Sequence, residues 1–136
     1  MKTVLFACVH NAGRSQMAAA IFNRLADPTK ARAVSAGTQP GSRVHPEVVE
    51  AMRELGVDLK NAVPRKLTDD LAAQASILVT MGCGGACPVV PGAERDDWPL
   101  EDPRGQRVER VRQIRDDVER RVRQLLVGRG WLGAKS

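Results

Sequence analysis

The chain has 136 residues, with 21 Lys and Arg against 16 Asp and Glu, a formal net charge of +5, and 43% hydrophobic residues. That balance fits one globular domain spanning 1–136 and excludes a disordered chain. With no Tyr, two Phe and two Trp, few rings are available to stack bases or line an aromatic pocket, so nucleic acid is not expected as a partner, and the basic charge favours anionic partners without naming one.

Val4 to Val9 is an apolar run that predicts a strand buried on both faces. It is too short to span a membrane, it lacks a signal-peptide cleavage pattern, and no later stretch approaches membrane length. The chain is therefore expected in the cytoplasm, away from membranes, where thiols stay reduced. Met17, Ala18, Ile21, Phe22 and Leu25 then recur at helical spacing between Ser15 and Leu25, and Asp27-Pro28 ends the pattern. Ala31 to Ala36 reads as a second strand stopped at Gly37. Pro46 to Leu55 reads as a helix with Pro46 at its first position and Gly56 beyond its end. Val63 to Lys66 is a weak strand or extended loop, and Thr68-Asp69-Asp70 opens a short helix with carboxylates in its first turn. Ala75 to Met81 is the next buried strand.

Gly82 to Pro103, rich in Gly and Pro, reads mostly as loop. A long helix follows from about Gln106 to Val127, with Val108, Val111, Ile114, Val118, Val122 and Leu125 on one stripe. Nine Arg between Arg104 and Arg129 face four acidic residues there, a solvated surface with pairs such as Asp116–Arg120 and Asp117–Arg121. The alternation predicts an α/β fold: a single doubly wound domain with a four-stranded parallel sheet, whose ligands bind beyond the carboxyl ends of the strands.

Cys8 and Cys83 both fall at such strand ends. Cys8, Cys83 and Cys87 are an odd number, which in a reducing compartment points to catalysis, redox chemistry or metal binding rather than a disulfide framework. Between Cys8 and the first helix lie Val9, His10, Asn11, Ala12, Gly13, Arg14 and Ser15. A loop entering a helix N-terminus can aim several N–H groups and the helix dipole at one anion. Gly13 permits the tight turn, and Arg14 adds a planar fork suited to a tetrahedral oxyanion. That field favours an ionised sulfur on Cys8, with Ser15 donating to it, and makes Cys8 a nucleophile aimed at a bound oxyanion. His10 is expected to orient backbone or face solvent, and His45, before Pro46, to be a local turn residue.

The C-x5-R-S pattern between a strand and a helix resembles the low-molecular-weight protein tyrosine phosphatase superfamily. Asn11 and Arg14-Ser15-Gln16-Met17-Ala18 are most similar to the arsenate reductases of that fold. Further matches are Ser35-Ala36-Gly37-Thr38, the segment Glu50 to Asp58, and Asp97-Trp98-Pro99-Leu100-Glu101-Asp102-Pro103, so the resemblance runs nearly the length of the chain. It implies that Asp102 is the general acid. It also implies that Cys8 attacks arsenate, that Cys83 attacks the arseno-cysteine sulfur, and that Cys87 then attacks Cys83. Thioredoxin or a low-molecular-weight thiol would act as reductant to an expected monomer needing no cofactor.

Three departures qualify that picture. Phosphotyrosine-directed members follow Asp-Pro with aromatic residues, whereas Arg104-Gly105 follow here. Cys83 and Cys87 are only four residues apart, closer than is usual in thioredoxin-coupled relatives; other related reductases use a low-molecular-weight thiol instead, and in that case one or both would be bystanders. A potassium site of several related reductases uses Asn11 and a Glu three residues after Gln16, where this chain has Ala19; Asn11 then reads as a brace for the loop. Two other functions stay open: a phosphatase for small phosphomonoesters, and a module holding a soft metal or trivalent arsenic on Cys8, Cys83 and Cys87.

Overall fold

The computed structural model describes residues 1–82 and 92–133. Four parallel strands, β1 (Lys2–Cys8), β2 (Ala31–Gly37), β3 (Ile77–Thr80) and β4 (Glu94–Asp97), form one sheet in the order β2-β1-β3-β4. Four helices accompany them: α1 (Arg14–Leu25), α2 (Pro46–Arg53), α3 (Asp69–Ala73) and α4 (Val108–Arg129). The expected α/β architecture is therefore present.

The central strand is β1, the most continuously apolar, as a strand covered on both faces requires. Its alternate side chains feed two cores. Val4, Phe6 and Cys8 join Ile77 and Val79 under α1, α2 and α4, while Leu5 and Ala7 join Leu78 and the α3 residues Leu71 and Ala72. Burying each large apolar side chain contributes roughly 1.5–3 kcal/mol. Phe6, Phe22 and Trp98 are buried and the half-buried Trp131 packs against them: Trp98 lies 5.5 Å from Phe6, Phe6 lies 6.0 Å from Phe22, and Phe22 lies 6.5 Å from Trp131, centroid to centroid.

The fourth strand is not Val63 to Lys66. That segment makes only an isolated parallel bridge, Gly37 to Lys66, closed by Gly37 N–H donating to the Arg65 carbonyl and Leu67 N–H donating to that of Gly37. The sheet is completed instead by the exposed Glu94-Arg95-Asp96-Asp97. An edge strand has one side in water and needs no apolar alternation, and charges on it discourage pairing with another chain. Its anchors are polar: the Thr80 hydroxyl donates to Asp97, and the Trp98 indole N–H donates to Asp96 at 2.9 Å.

Helix α2 stops at Arg53 rather than Leu55, ahead of Gly56 at φ +77°, and α4 runs on to Arg129, capped by Gly130 at φ +72°. Leu126, fully buried, takes the core position expected of the half-buried Leu125, because a 3.6-residue period drifts by one position over five turns. Asp117 pairs with Arg121 as expected, but Asp116 turns to its neighbour Arg115, and Arg120 takes Asp117. No described helix is long and apolar enough to cross a membrane.

Candidate active site

Residues 8–15 leave the carboxyl end of β1 and enter α1, with Cys8 buried at the bottom. The segment after β2 holds this loop from outside. Thr38, Gln39, Gly41 and His45 donate their backbone N–H groups to the carbonyls of Cys8, Val9, His10 and Ala12 at 2.8–3.2 Å. In a planar trans peptide the carbonyl and the following N–H point opposite ways. Four outward carbonyls therefore turn the N–H groups of Val9, His10, Asn11 and Gly13 inward. The first N–H groups of α1, which have no partners within the helix, add to them. The result is a concave ring of donors.

Two hydrogen bonds converge on the sulfur. The Asn11 backbone N–H donates to Cys8 Sγ at 3.3 Å, and Ser15 Oγ lies 2.8 Å from it. The direction of the second follows from its neighbours. Asn11 Oδ1 accepts from the Arg65 backbone N–H at 3.0 Å and from Gln16 Nε2 at 3.0 Å, so the Asn11 amide is oriented with Nδ2 toward Ser15. Asn11 Nδ2 then donates to Ser15 Oγ at 2.7 Å. Ser15 is an acceptor there and has its single proton left for Cys8. Such donors stabilise a sulfur that carries negative charge. Asn11 is fully buried and sits at φ +49°, a left-handed conformation that Asn tolerates better than most residues.

Arg14 opens α1 with its guanidinium mostly buried: Nη1 donates to the Leu100 carbonyl at 3.2 Å, and Nη2 lies 3.6 Å from Asp102 Oδ2. Asp102 also accepts from the Arg104 backbone N–H at 2.9 Å and is open to solvent over 43% of its side chain. The adjacent carboxylate, Glu101, is occupied elsewhere. Hydrogen bonds from Arg110 hold its carboxyl below the usual range, which leaves Asp102 as the carboxyl facing the loop. Pro103 packs on Gly13 so closely that a β-carbon on Gly13 would sit 2.6 Å from its ring. Burial lowers the His45 imidazole from its ordinary value, against opposing pulls from Asp102 and Glu47, while half-buried His10 is 3.1 Å from the Gln39 carbonyl through Nδ1.

Cys8, Asn11, Arg14, Ser15 and Asp102 are thus gathered in one place, and Cys83 and Cys87 lie outside the described residues. Sequence reasoning missed Gly37, Gly82 and the Leu100 carbonyl as parts of the site. A β-carbon on Gly37 would meet the backbone of Val9, Asn11 and His10 at 2.6–3.0 Å. A glycine ending a strand beside β1 was the available signal. Among the described residues there is no cluster of three or more His, Cys, Asp or Glu fit for a metal. The residues do not fit a potassium ion either: Ala19 brings no charge, and Gln16 Nε2 already takes the Asn11 backbone and side-chain oxygens at 3.1 and 3.0 Å.

A cysteine in a ring of inward amides, an arginine at the helix start and an Asp-Pro facing them define a member of the phosphatase-like α/β class. The chain belongs to the low molecular weight phosphotyrosine protein phosphatase family, which matches residues 3–134. A Halobacterium salinarum protein, named provisionally as an arsenate reductase, is 42% identical over 86% of this chain and 85% of its own. The glutaredoxin arsenate reductase of a Synechocystis strain is 35% identical over 93% of this chain and 97% of its own. Among solved structures, the thioredoxin-dependent arsenate reductase of Corynebacterium glutamicum superposes with a TM-score of 0.81 and 39% identity over 94% of this chain. The present chain spans only 61% of that longer one.

Proposed function

We propose that this protein is an arsenate reductase in which Cys8 is the nucleophile. The observation that carries the reading is the fixed polarity at Cys8 Sγ, which receives hydrogen bonds from Asn11 and Ser15 inside a ring of inward N–H groups. The Cys8 thiolate attacks arsenic, Asp102 protonates the departing oxygen, and water leaves an arseno-cysteine. The Cys83 thiolate then attacks Cys8 Sγ. A Cys8–Cys83 disulfide forms, the sulfur–arsenic bonding pair passes to arsenic, and arsenite is released. Cys87 attacks Cys83, frees the Cys8 thiolate and leaves a Cys83–Cys87 disulfide for an external dithiol.

Similarity to a thioredoxin-dependent and to a glutaredoxin-named reductase supports a protein dithiol as the reductant. The absence of Tyr, and the confinement of both Phe and both Trp to one core cluster, favour a small inorganic oxyanion over an aryl phosphate. The test is a single arsenate turnover by reduced protein, followed by trapping and disulfide mapping. Arsenite with a Cys83–Cys87 bond is expected, and Cys8→Ser abolishes both products. Steady hydrolysis of an aryl phosphate that survives Cys83→Ala and Cys87→Ala, without arsenite, would replace the reading with a phosphatase.

A further inference from the structure

Gln16 lies in the first turn of α1, 8% exposed, with its Nε2 inside a cage of three oxygens: Asn11 Oδ1 at 3.0 Å, Asn11 O at 3.1 Å and Val63 O at 3.4 Å. The two Asn11 oxygens belong to the residue from which both hydrogen-bonded routes to the sulfur start. One route is its backbone N–H to Cys8 Sγ; the other runs from its Nδ2 through Ser15 Oγ. A group that grips the backbone carbonyl fixes the peptide plane. A group that grips Oδ1 fixes which end of the Asn11 amide faces Ser15. Gln16 does both with one NH2, in a residue held at φ +49°.

Three oxygens around one point require a pure donor or a cation, because an acceptor there would be repelled. The ~350 Å³ cleft beside the cage is lined by Ala19, Ala20, Asn23, Ala62 and Arg65 among others, and no carboxylate of the described residues lines it. A monovalent cation would find no charge to offset its dehydration and would face a guanidinium. We infer that Gln16 is a positioning residue whose carboxamide, with Ala19 rather than a carboxylate beside it, holds the Asn11 oxygens. It braces Asn11 so that both donors point at Cys8, and the protein works without potassium. This rests on the reading of Cys8 as nucleophile.

Two readouts separate this inference from that reading. The first is the rate of Cys8 alkylation by iodoacetamide against pH, followed by peptide mass mapping, which needs no arsenate. In Gln16→Met, which keeps the length and loses the donors, the alkylation profile changes and the rate at neutral pH falls about tenfold, because Asn11 is no longer held with its backbone N–H and the Ser15 hydroxyl directed at the charged sulfur. Arsenate turnover, kcat/KM, falls about tenfold in the same variant. An unchanged alkylation profile and unchanged kcat/KM would overturn the inference, even if arsenate is reduced. The second readout needs no variant and holds if Gln16→Met fails to fold. Exchanging potassium chloride for choline chloride at equal ionic strength leaves the Cys8 alkylation profile of the natural chain unchanged. A shift of that profile on removing potassium would overturn it. If arsenate is never reduced but the alkylation profile responds to Gln16→Met as stated, the functional reading falls and the positioning role stands.

Discussion

Gly82 and Arg14 share a space too small for one more carbon: a β-carbon on Gly82 would lie 2.4 Å from Arg14 Nη1. Gly82 also sits at φ +90°, where a side chain is strained whatever the room. The glycine after β3 therefore lets the guanidinium lie flat between the Leu100 carbonyl and Asp102. Gly82→Ala is expected to cost roughly 1–3 kcal/mol of stability through the backbone alone. It also pushes Arg14 off its seat, so KM for arsenate rises more than kcat falls. Steady-state kinetics with a thermal melt check this; an unaltered KM would mean that Arg14 does not need that seat.

Gly37→Ala tests the outer wall. The atoms its β-carbon would meet are all backbone, Val9 O at 2.6 Å, Asn11 N at 2.9 Å and the His10 carbonyl carbon at 3.0 Å, so no rotamer change relieves the clash. The loop must move, and the Asn11 N–H moves with it, away from Cys8 Sγ. The expectation is loss of nearly all arsenate turnover together with destabilisation of about 1–3 kcal/mol. Gly128→Ala is the control. Gly128 is exposed within α4 with nothing within 4 Å of its added carbon, and the change is expected to stabilise by ~0.5–1 kcal/mol without touching turnover.

Ser15→Ala removes the hydroxyl that links Asn11 Nδ2 to the sulfur and leaves that amide hydrogen buried without its acceptor. A hydrogen bond to a charged group is worth roughly 1.5–3 kcal/mol, so kcat/KM for arsenate should fall about 10- to 150-fold. Asn11→Ala should do at least as much harm, because it removes that donor and the acceptor for Gln16 and Arg65 and places Ala at φ +49°. The double variant should be little worse than the worse single one, since both substitutions cut the same route. A double-variant loss equal to the product of the two single losses would show that Ser15 and Asn11 act separately.

The fold was legible where burial dictates it. The unbroken apolar run of β1 reads as a central strand, and the stops at Gly37 and Gly56 mark element ends because only glycine enters the left-handed region cheaply or admits close backbone approach. Strand β4 was illegible for the converse reason: Glu94 to Asp97 carries no hydrophobic pattern, and its pairing with β3 is a long-range event that no local propensity encodes. At the site, Cys8, Arg14 and Ser15 were legible from spacing, because a strand-to-helix loop must put them near one another. The direction of the Asn11 amide and the grip of Gln16 were not, because they depend on Arg65 and Val63, which only the folded chain brings alongside.

Acid should loosen the joint between α2 and α4. Glu54, just past α2, accepts from Arg112 Nε and Nη2 at 2.7–3.0 Å and from Arg115 Nη1 at 2.7 Å. These hydrogen bonds, Arg112 first and then Arg115, hold its carboxyl down at about 2 from an ordinary 4.5. A carboxyl whose folded value lies below its unfolded one stabilises fully above the unfolded value, and the contribution is lost as pH falls toward the folded one. The stabilisation from Glu54 is therefore complete at neutral pH and disappears between about pH 4.5 and 2. Asp27, Glu94 and Glu101 are lowered in the same direction by hydrogen bonds from Thr29, Arg129 and Arg110, so a melt of the natural chain alone would mix four groups. The difference in Tm between the natural chain and Glu54→Gln isolates one of them. It should be constant from pH 8 to 5 and shrink toward zero by pH 2, where a protonated Glu54 resembles the amide. A difference that stays constant through that window would mean that the Arg112 and Arg115 contacts add no charge-dependent stability.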